Sequence, residues 1–100
     1  LDDAVYLDHN ATAPVRPAAA AAVARALALV GNASSVHRFG RLARRLIEDA
    51  REQVAALVGA APAGVVFTGS GSEANNLGLL GAGRARVLVS AVEHASVLGA

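Results

Sequence analysis

Apolar positions along this chain follow two rhythms, and where one gives way to the other the elements can be marked out. Leu42, Leu46, Ile47, Ala50, Val54, Leu57 and Val58 recur at spacings of three and four. That spacing predicts one buried stripe on a helix, with Ser34 or Ser35 placed to cap its start and Gly59 to end it. Upstream, Pro17 suits the first position of a helix that runs through the alanines and stops at Gly31. The second rhythm is the short unbroken apolar run: Val5-Tyr6-Leu7, Val65-Val66-Phe67 and Val87-Leu88-Val89 read as strands. The last two lack alternation, as expected where both faces of a parallel sheet are covered. Between them, residues from about Ser72 to Leu80 predict a helix closed by Gly81 and Gly83, and the segment from Ala95 to Ala100 opens another.

Strand, helix, strand in this order is α/β. A right-handed crossover puts the turns 69–72 and 91–95 at strand carboxyl ends, where such sheets bind ligands. Two strands with helices on both faces leave sheet edges unpaired and apolar surface open. The chain therefore reads as the amino-terminal part of a larger α/β protein.

Composition narrows the picture. Hydrophobic residues make up 54% of the 100 positions, yet a quarter of the chain is alanine and aromatics are 3%, so the core is thin for its length. A net charge of +1, with arginines interleaved with acids, excludes a strong electrostatic case for nucleic acid. Arg44 with Glu48 and Arg45 with Asp49 have the spacing of ion pairs on a solvated helix face. All nine basic residues are arginine, and there is neither lysine nor cysteine. Disulfides and thiolate metal sites are excluded, the three histidines are scattered, and no metal is expected. The alanine-rich stretch 18–30 is short and interrupted by Arg25, and no basic-then-apolar leader is visible. A cytoplasmic chain with no membrane partner is the expectation.

The stretch Val65-Val66-Phe67-Thr68-Gly69-Ser70-Gly71-Ser72-Glu73-Ala74-Asn75-Asn76 carries the chemistry. A buried strand, a glycine-serine turn and a helix start aim free backbone N–H groups and a positive helix dipole at one point, which suits an anion such as phosphate. Gly69, Gly71 and Ala74 also fit the loose dinucleotide fingerprint, with Glu93 near the spacing of its ribose-binding acid. That fingerprint usually follows the first strand of its domain, whereas more than half of this chain comes first. A smaller phosphate-bearing cofactor fits better. The glycines also read as a plain strand-to-helix turn.

Three separated segments resemble cysteine desulfurases, the pyridoxal phosphate-dependent, class V aminotransferase-like enzymes. They are Tyr6-Leu7-Asp8-His9-Asn10-Ala11-Thr12-Ala13-Pro14, then Gly31-Asn32-Ala33-Ser34-Ser35-Val36-His37-Arg38-Phe39-Gly40, with Ala33 where the family has proline, and lastly 67–76 with Glu93-His94 downstream. The resemblance implies a fold-type I transferase with helices flanking a mainly parallel sheet. It divides the incomplete segment 1–100 into a helical arm of about residues 1–60 and the start of the cofactor-binding domain at 61–100.

By resemblance, Gly71 and Ser72 bind the phosphate of pyridoxal 5'-phosphate. From the residues alone, Ser72 serves equally as a helix cap. His94 matches the histidine that stacks on the cofactor ring and moves protons, and a flat imidazole titrating near neutrality suits both tasks. A histidine after a strand is also an ordinary loop residue. Asn10, Ala11 and Thr12 match the substrate end of the pocket, and alone read as a turn before Pro14. His37 is read as structural, capping or orienting the helix that starts beside it, in preference to shaping the active-site entrance as the resemblance implies, and His9 is given no chemistry.

The implied reaction takes sulfur from L-cysteine, giving alanine and an enzyme persulfide for iron–sulfur cluster assembly, in a homodimer that hands sulfur to an acceptor protein. Class V aminotransferase and selenocysteine lyase are alternatives within the resemblance, with a dinucleotide-binding oxidoreductase and a non-catalytic fragment outside it. The chemistry needs a lysine to hold the cofactor covalently and, for desulfuration, a nucleophilic cysteine. Both are absent from these 100 residues, so the segment on its own is expected to be inactive.

Overall fold

The computed structural model describes residues 4–100, so the first three residues of the expected arm lie outside it. Four α-helices appear in order: α1 (Pro17–Leu27), α2 (Arg38–Val58), α3 (Gly71–Gly81) and α4 (Ala95–Leu98), with a 3₁₀ turn at Pro62–Gly64 between α2 and α3. Pro17 opens α1 as expected. The helix stops at Leu27 rather than at Gly31, because Leu29 N–H donates to the Ala26 carbonyl and tightens the last turn. No residue of α1 is buried, so alanine's intrinsic propensity is the main support for its eleven residues.

α2 begins one turn past the expected caps. His37, not Ser34 or Ser35, is its N-cap, with Nδ1 accepting from Gly40 N–H at 3.4 Å. The segment before it folds back onto the helix start. Asn32 Oδ1 accepts from Ser34 N–H at 2.9 Å, and the Asn32 carbonyl accepts from Ser35 N–H at 2.9 Å. Gly40 is buried beneath this loop: a Cβ there would lie 2.2 Å from the Ser35 carbonyl oxygen and 2.7 Å from that of Asn32. At the other end Gly59 takes a left-handed conformation, φ 68° and ψ 28°, and Ala60 N–H reaches back to the Ala55 carbonyl at 2.9 Å. Glycine adopts this stop without a Cβ clash.

The apolar stripe of α2 exists but is not covered. Leu46 and Ile47 remain 44% and 40% exposed, and Ala55 is the one buried apolar residue among those described. The ion pairs also differ from expectation. Glu48 pairs with Arg51 at 3.0 Å, one turn away, instead of with Arg44. Arg51 is drawn there because its guanidinium also donates to the Val65 carbonyl and lies 5.0 Å from the centre of the Phe67 ring.

The expected sheet is not formed. Among the described residues no segment joins a β ladder, and 65–68 and 87–90 run as connectors beside helices. The carbonyl of Val65 is engaged by Arg51, and Leu88 is fully exposed. A parallel ladder gains stability from neighbours on both edges and cover on both faces, and neither is supplied here. The radius of gyration, 17.9 Å, exceeds the roughly 13 Å of a compact domain of this length. Helices therefore account for all the regular structure described, and the α/β expectation is met only in the position of its helices.

The Gly40 contact yields a direct test. Gly40→Ala in the complete protein should cost about 1–3 kcal/mol, the usual penalty for overpacking, because two backbone carbonyls must yield. Thermal unfolding should show a lowered Tm for it and no comparable change for Gly64→Ala, where a Cβ meets nothing within 4 Å.

Candidate functional site

The start of α3 is built by a short series of hydrogen bonds. Thr68 Oγ1 donates to the Ser70 carbonyl at 3.0 Å and closes the turn that follows Phe67. Ser70 is the N-cap, and its Oγ accepts from Glu73 N–H at 3.1 Å. Glu73 Oε2 in turn accepts from Gly69 N–H at 2.7 Å. This is a capping box whose carboxylate reaches one residue past the cap. The Ser70-x-x-Glu73 spacing carries that signal in the sequence, beside the serine at 72 that offers a second candidate cap.

What the box leaves over is the candidate site. The N–H groups of Gly71 and Ser72, and the Ser72 hydroxyl, have no hydrogen-bond partner among the described residues. Both residues are exposed, and a Cβ on Gly71 would meet nothing within 4 Å. With Ser70 as the cap, the reading of Ser72 as a plain cap falls away. Two N–H donors and a hydroxyl at the positive end of an eleven-residue helix fit a phosphate group.

His94 is tied to the same helix. It is the N-cap of α4, with Nδ1 accepting from Ser96 N–H at 3.1 Å and lying 2.9 Å from Ser96 Oγ. Asn75 Nδ2, one turn into α3, donates to Ser96 Oγ at 2.9 Å. The imidazole therefore sits beside the helix whose first turn presents Gly71 and Ser72. Asn75 and Ser96 were missed by the sequence reading, since residues 21 apart carry no local signal of contact.

Asn10, Ala11 and Thr12 form a turn of their own. Ala11 and Thr12 N–H donate to the Asp8 carbonyl at 3.2 and 3.3 Å. The Tyr6 hydroxyl donates to the same carbonyl at 2.7 Å and reaches the Thr12 carbonyl at 3.2 Å. Among the described residues no hydrogen bond joins this turn to α3 or α4. An apolar groove of about 320 Å³ lies elsewhere, lined by Leu80, Arg84, Val87 and Leu98 among others, and includes none of the expected site residues. No cluster of three His, Asp or Glu side chains that could ligate a metal occurs among the described residues, and no helix is long and apolar enough to cross a membrane.

Comparison with known proteins gives this geometry a family. Residues 5–100 match the family described as aminotransferase class-V. The chain belongs to that family. Within it, the chain is 46% identical over 93% of its length to the IscS-like cysteine desulfurase of Mycobacterium tuberculosis, of which it covers 26%. It is 44% identical over 96% of its length to a cysteine desulfurase of Frankia sp., of which it covers 25%. The cysteine desulfurase IscS of Tolumonas auensis is 40% identical over 94% of the chain. The chain thus spans about a quarter of the length of the curated relatives it matches. No solved structure matches it. Membership of the class V family leaves the dinucleotide reading of Gly69, Gly71, Ala74 and Glu93 without support.

The capping box can be tested apart from any ligand. Ser70→Ala in the complete protein should weaken the start of α3 by about 1 kcal/mol, a typical cap loss. Hydrogen exchange at the amides of Glu73 and Ala74 should then speed up roughly fivefold.

Proposed function

We propose that the complete protein is a pyridoxal 5'-phosphate-dependent, cysteine desulfurase-like enzyme of fold type I. It takes sulfur from L-cysteine, releases alanine, and holds the sulfur as an enzyme persulfide destined for an acceptor protein and iron–sulfur cluster assembly. It works as a homodimer in the cytoplasm. Residues to about 60 form a helical arm, and 61–100 open the cofactor-binding domain, whose sheet is completed by the remainder of the polypeptide.

One observation carries this reading: the unengaged N–H groups of Gly71 and Ser72 open the same helix that Asn75 and Ser96 link to His94. The match to the class V family and the relatives named cysteine desulfurase support it. Gly71 N–H, Ser72 N–H and the Ser72 hydroxyl would hold the phosphate. When bound, the cofactor supplies an electron sink for bond cleavage at the amino-acid substrate. His94 presents a flat face for the cofactor ring, and its Nε2, the nitrogen not engaged by Ser96, is the atom at which a proton moves. The turn of Asn10, Ala11 and Thr12, braced by Tyr6, would come to the substrate end once the remaining chain is in place. The required lysine and cysteine belong to that remaining chain, so residues 1–100 by themselves are inactive.

Adding pyridoxal 5'-phosphate to the complete protein should produce a visible absorption band, and L-cysteine should then yield alanine and, with a thiol reductant, sulfide. Amino transfer to a 2-oxo acid without sulfide would make it an aminotransferase, and preference for selenocysteine a lyase. No band would overturn the cofactor assignment. Ser72→Ala should weaken cofactor binding by about ten- to a hundredfold, the worth of a hydrogen bond to a charged group.

A further inference from the structure

Ser96 is the only residue in the described structure whose backbone and side chain both meet the ring of a histidine. A backbone N–H can only donate, so the 3.1 Å bond from Ser96 N–H makes His94 Nδ1 an acceptor. In a neutral ring that bond biases the proton toward Nε2, since the other tautomer forfeits it, without by itself excluding that tautomer. Asn75 adds direction to this. Its side-chain N–H₂ donates to Ser96 Oγ at 2.9 Å, which turns the hydroxyl proton toward the nearest remaining acceptor, His94 Nδ1, at 2.9 Å. Two donors then converge on Nδ1, one from the main chain and one from the end of a relay that begins on α3. Asn75 and Ser96 are both partly shielded from solvent, whereas His94 is exposed, so the relay is better protected than the ring it holds.

We infer that Asn75 and Ser96 are positioning residues for His94: through the sequence Asn75 N–H to Ser96 O–H to His94 Nδ1 they fix its tautomer and leave its Nε2–H without a partner among the described residues. The inference rests on the proposed role of His94, but its geometry does not depend on the cofactor. The consequence is a division of the two ring nitrogens, with Nδ1 committed to the protein and Nε2 kept for the ligand. It also couples the two halves of the site. A shift of α3 at Asn75 reaches His94 through one hydroxyl, so movement of the phosphate-binding turn and of the imidazole is linked.

The test is made on the complete protein with ¹⁵N-labelled histidine and no cofactor, at a pH where the ring is neutral. Long-range ¹H–¹⁵N correlation reports which ring nitrogen carries the proton, and His94→Gln identifies the signal. The native protein should show His94 as a single Nε2–H tautomer. Asn75→Asp keeps the shape but replaces the donor with an acceptor, so the Ser96 hydroxyl turns toward residue 75 and the His94 nitrogen shifts should move toward a tautomer average. Ser96→Ala should do the same, and Ser96→Thr, which keeps the hydroxyl, should restore the native pattern. A mixed tautomer in the native protein, or identical spectra for native and Asn75→Asp, would overturn the relay. Because the spectra are taken without cofactor, a protein that shows the relay but gives no visible band with pyridoxal 5'-phosphate would refute the cofactor assignment alone.

Discussion

Arg51 holds the two halves of the described structure together. From the middle of α2 its guanidinium pairs with Glu48, donates to the Val65 carbonyl and lies over the Phe67 ring. Each contact is modest: a partly exposed ion pair contributes about 0–1 kcal/mol, and a cation over an aromatic face about 0.5–1. Their importance is positional. Val65 and Phe67 lead straight into Thr68, Gly69 and Ser70, the turn that starts α3, so the arginine ties the approach to that helix to α2. A lysine would not replace it, because a single ammonium cannot reach a carboxylate, a carbonyl and a ring face in the geometry of a planar fork.

The helices and the sheet fared differently because they depend on different ranges of the sequence. Pro17 at the start of α1 and Gly59 at the end of α2 act through their own backbone, and both were legible. The caps were not. Histidine is outside the group of residues that usually cap, yet His37 and His94 both do so through Nδ1, while the nearby serines 34 and 35 form the loop that covers Gly40. The strands depend on pairing that no local signal supplies. Val65-Val66-Phe67 and Val87-Leu88-Val89 have the composition of buried strands, but a ladder forms only with partners on its edges and helices on its faces. Val66, Leu88 and the α2 stripe leave their apolar surface exposed.

The candidate site divides along the same line. Gly71 and Ser72 stand out as candidates because a glycine-serine turn into a helix is a local feature, and the structure adds that Ser70 caps the helix, leaving Ser72 uncommitted. His94 stands out as a candidate only as part of a motif, since an exposed histidine in a loop is otherwise ordinary. Its link to α3 was invisible, because Asn75 and Ser96 meet only when α4 docks on α3. Neither residue type signals a relay from its place in the sequence.

Glu73 raises the question of how the proposed anion site tolerates a carboxylate in the first turn of its own helix. A free acid there would compete for the same positive pole and repel a phosphate. Glu73 avoids this by turning back to Gly69 N–H, on the loop side of the cap, and its own N–H is taken by Ser70. The acid thus satisfies the Gly69 N–H ahead of the helix and leaves the N–H groups of Gly71 and Ser72 without a partner among the described residues. Its carboxylate closes the turn on the loop side and does not reach the Gly71 and Ser72 N–H groups. A short turn of this kind would otherwise lose entropy each time an anion bound, so the internal acid orders the donors in advance. On this argument the capping box and the proposed phosphate site are one device, and Glu73 belongs to the site through the backbone it holds still.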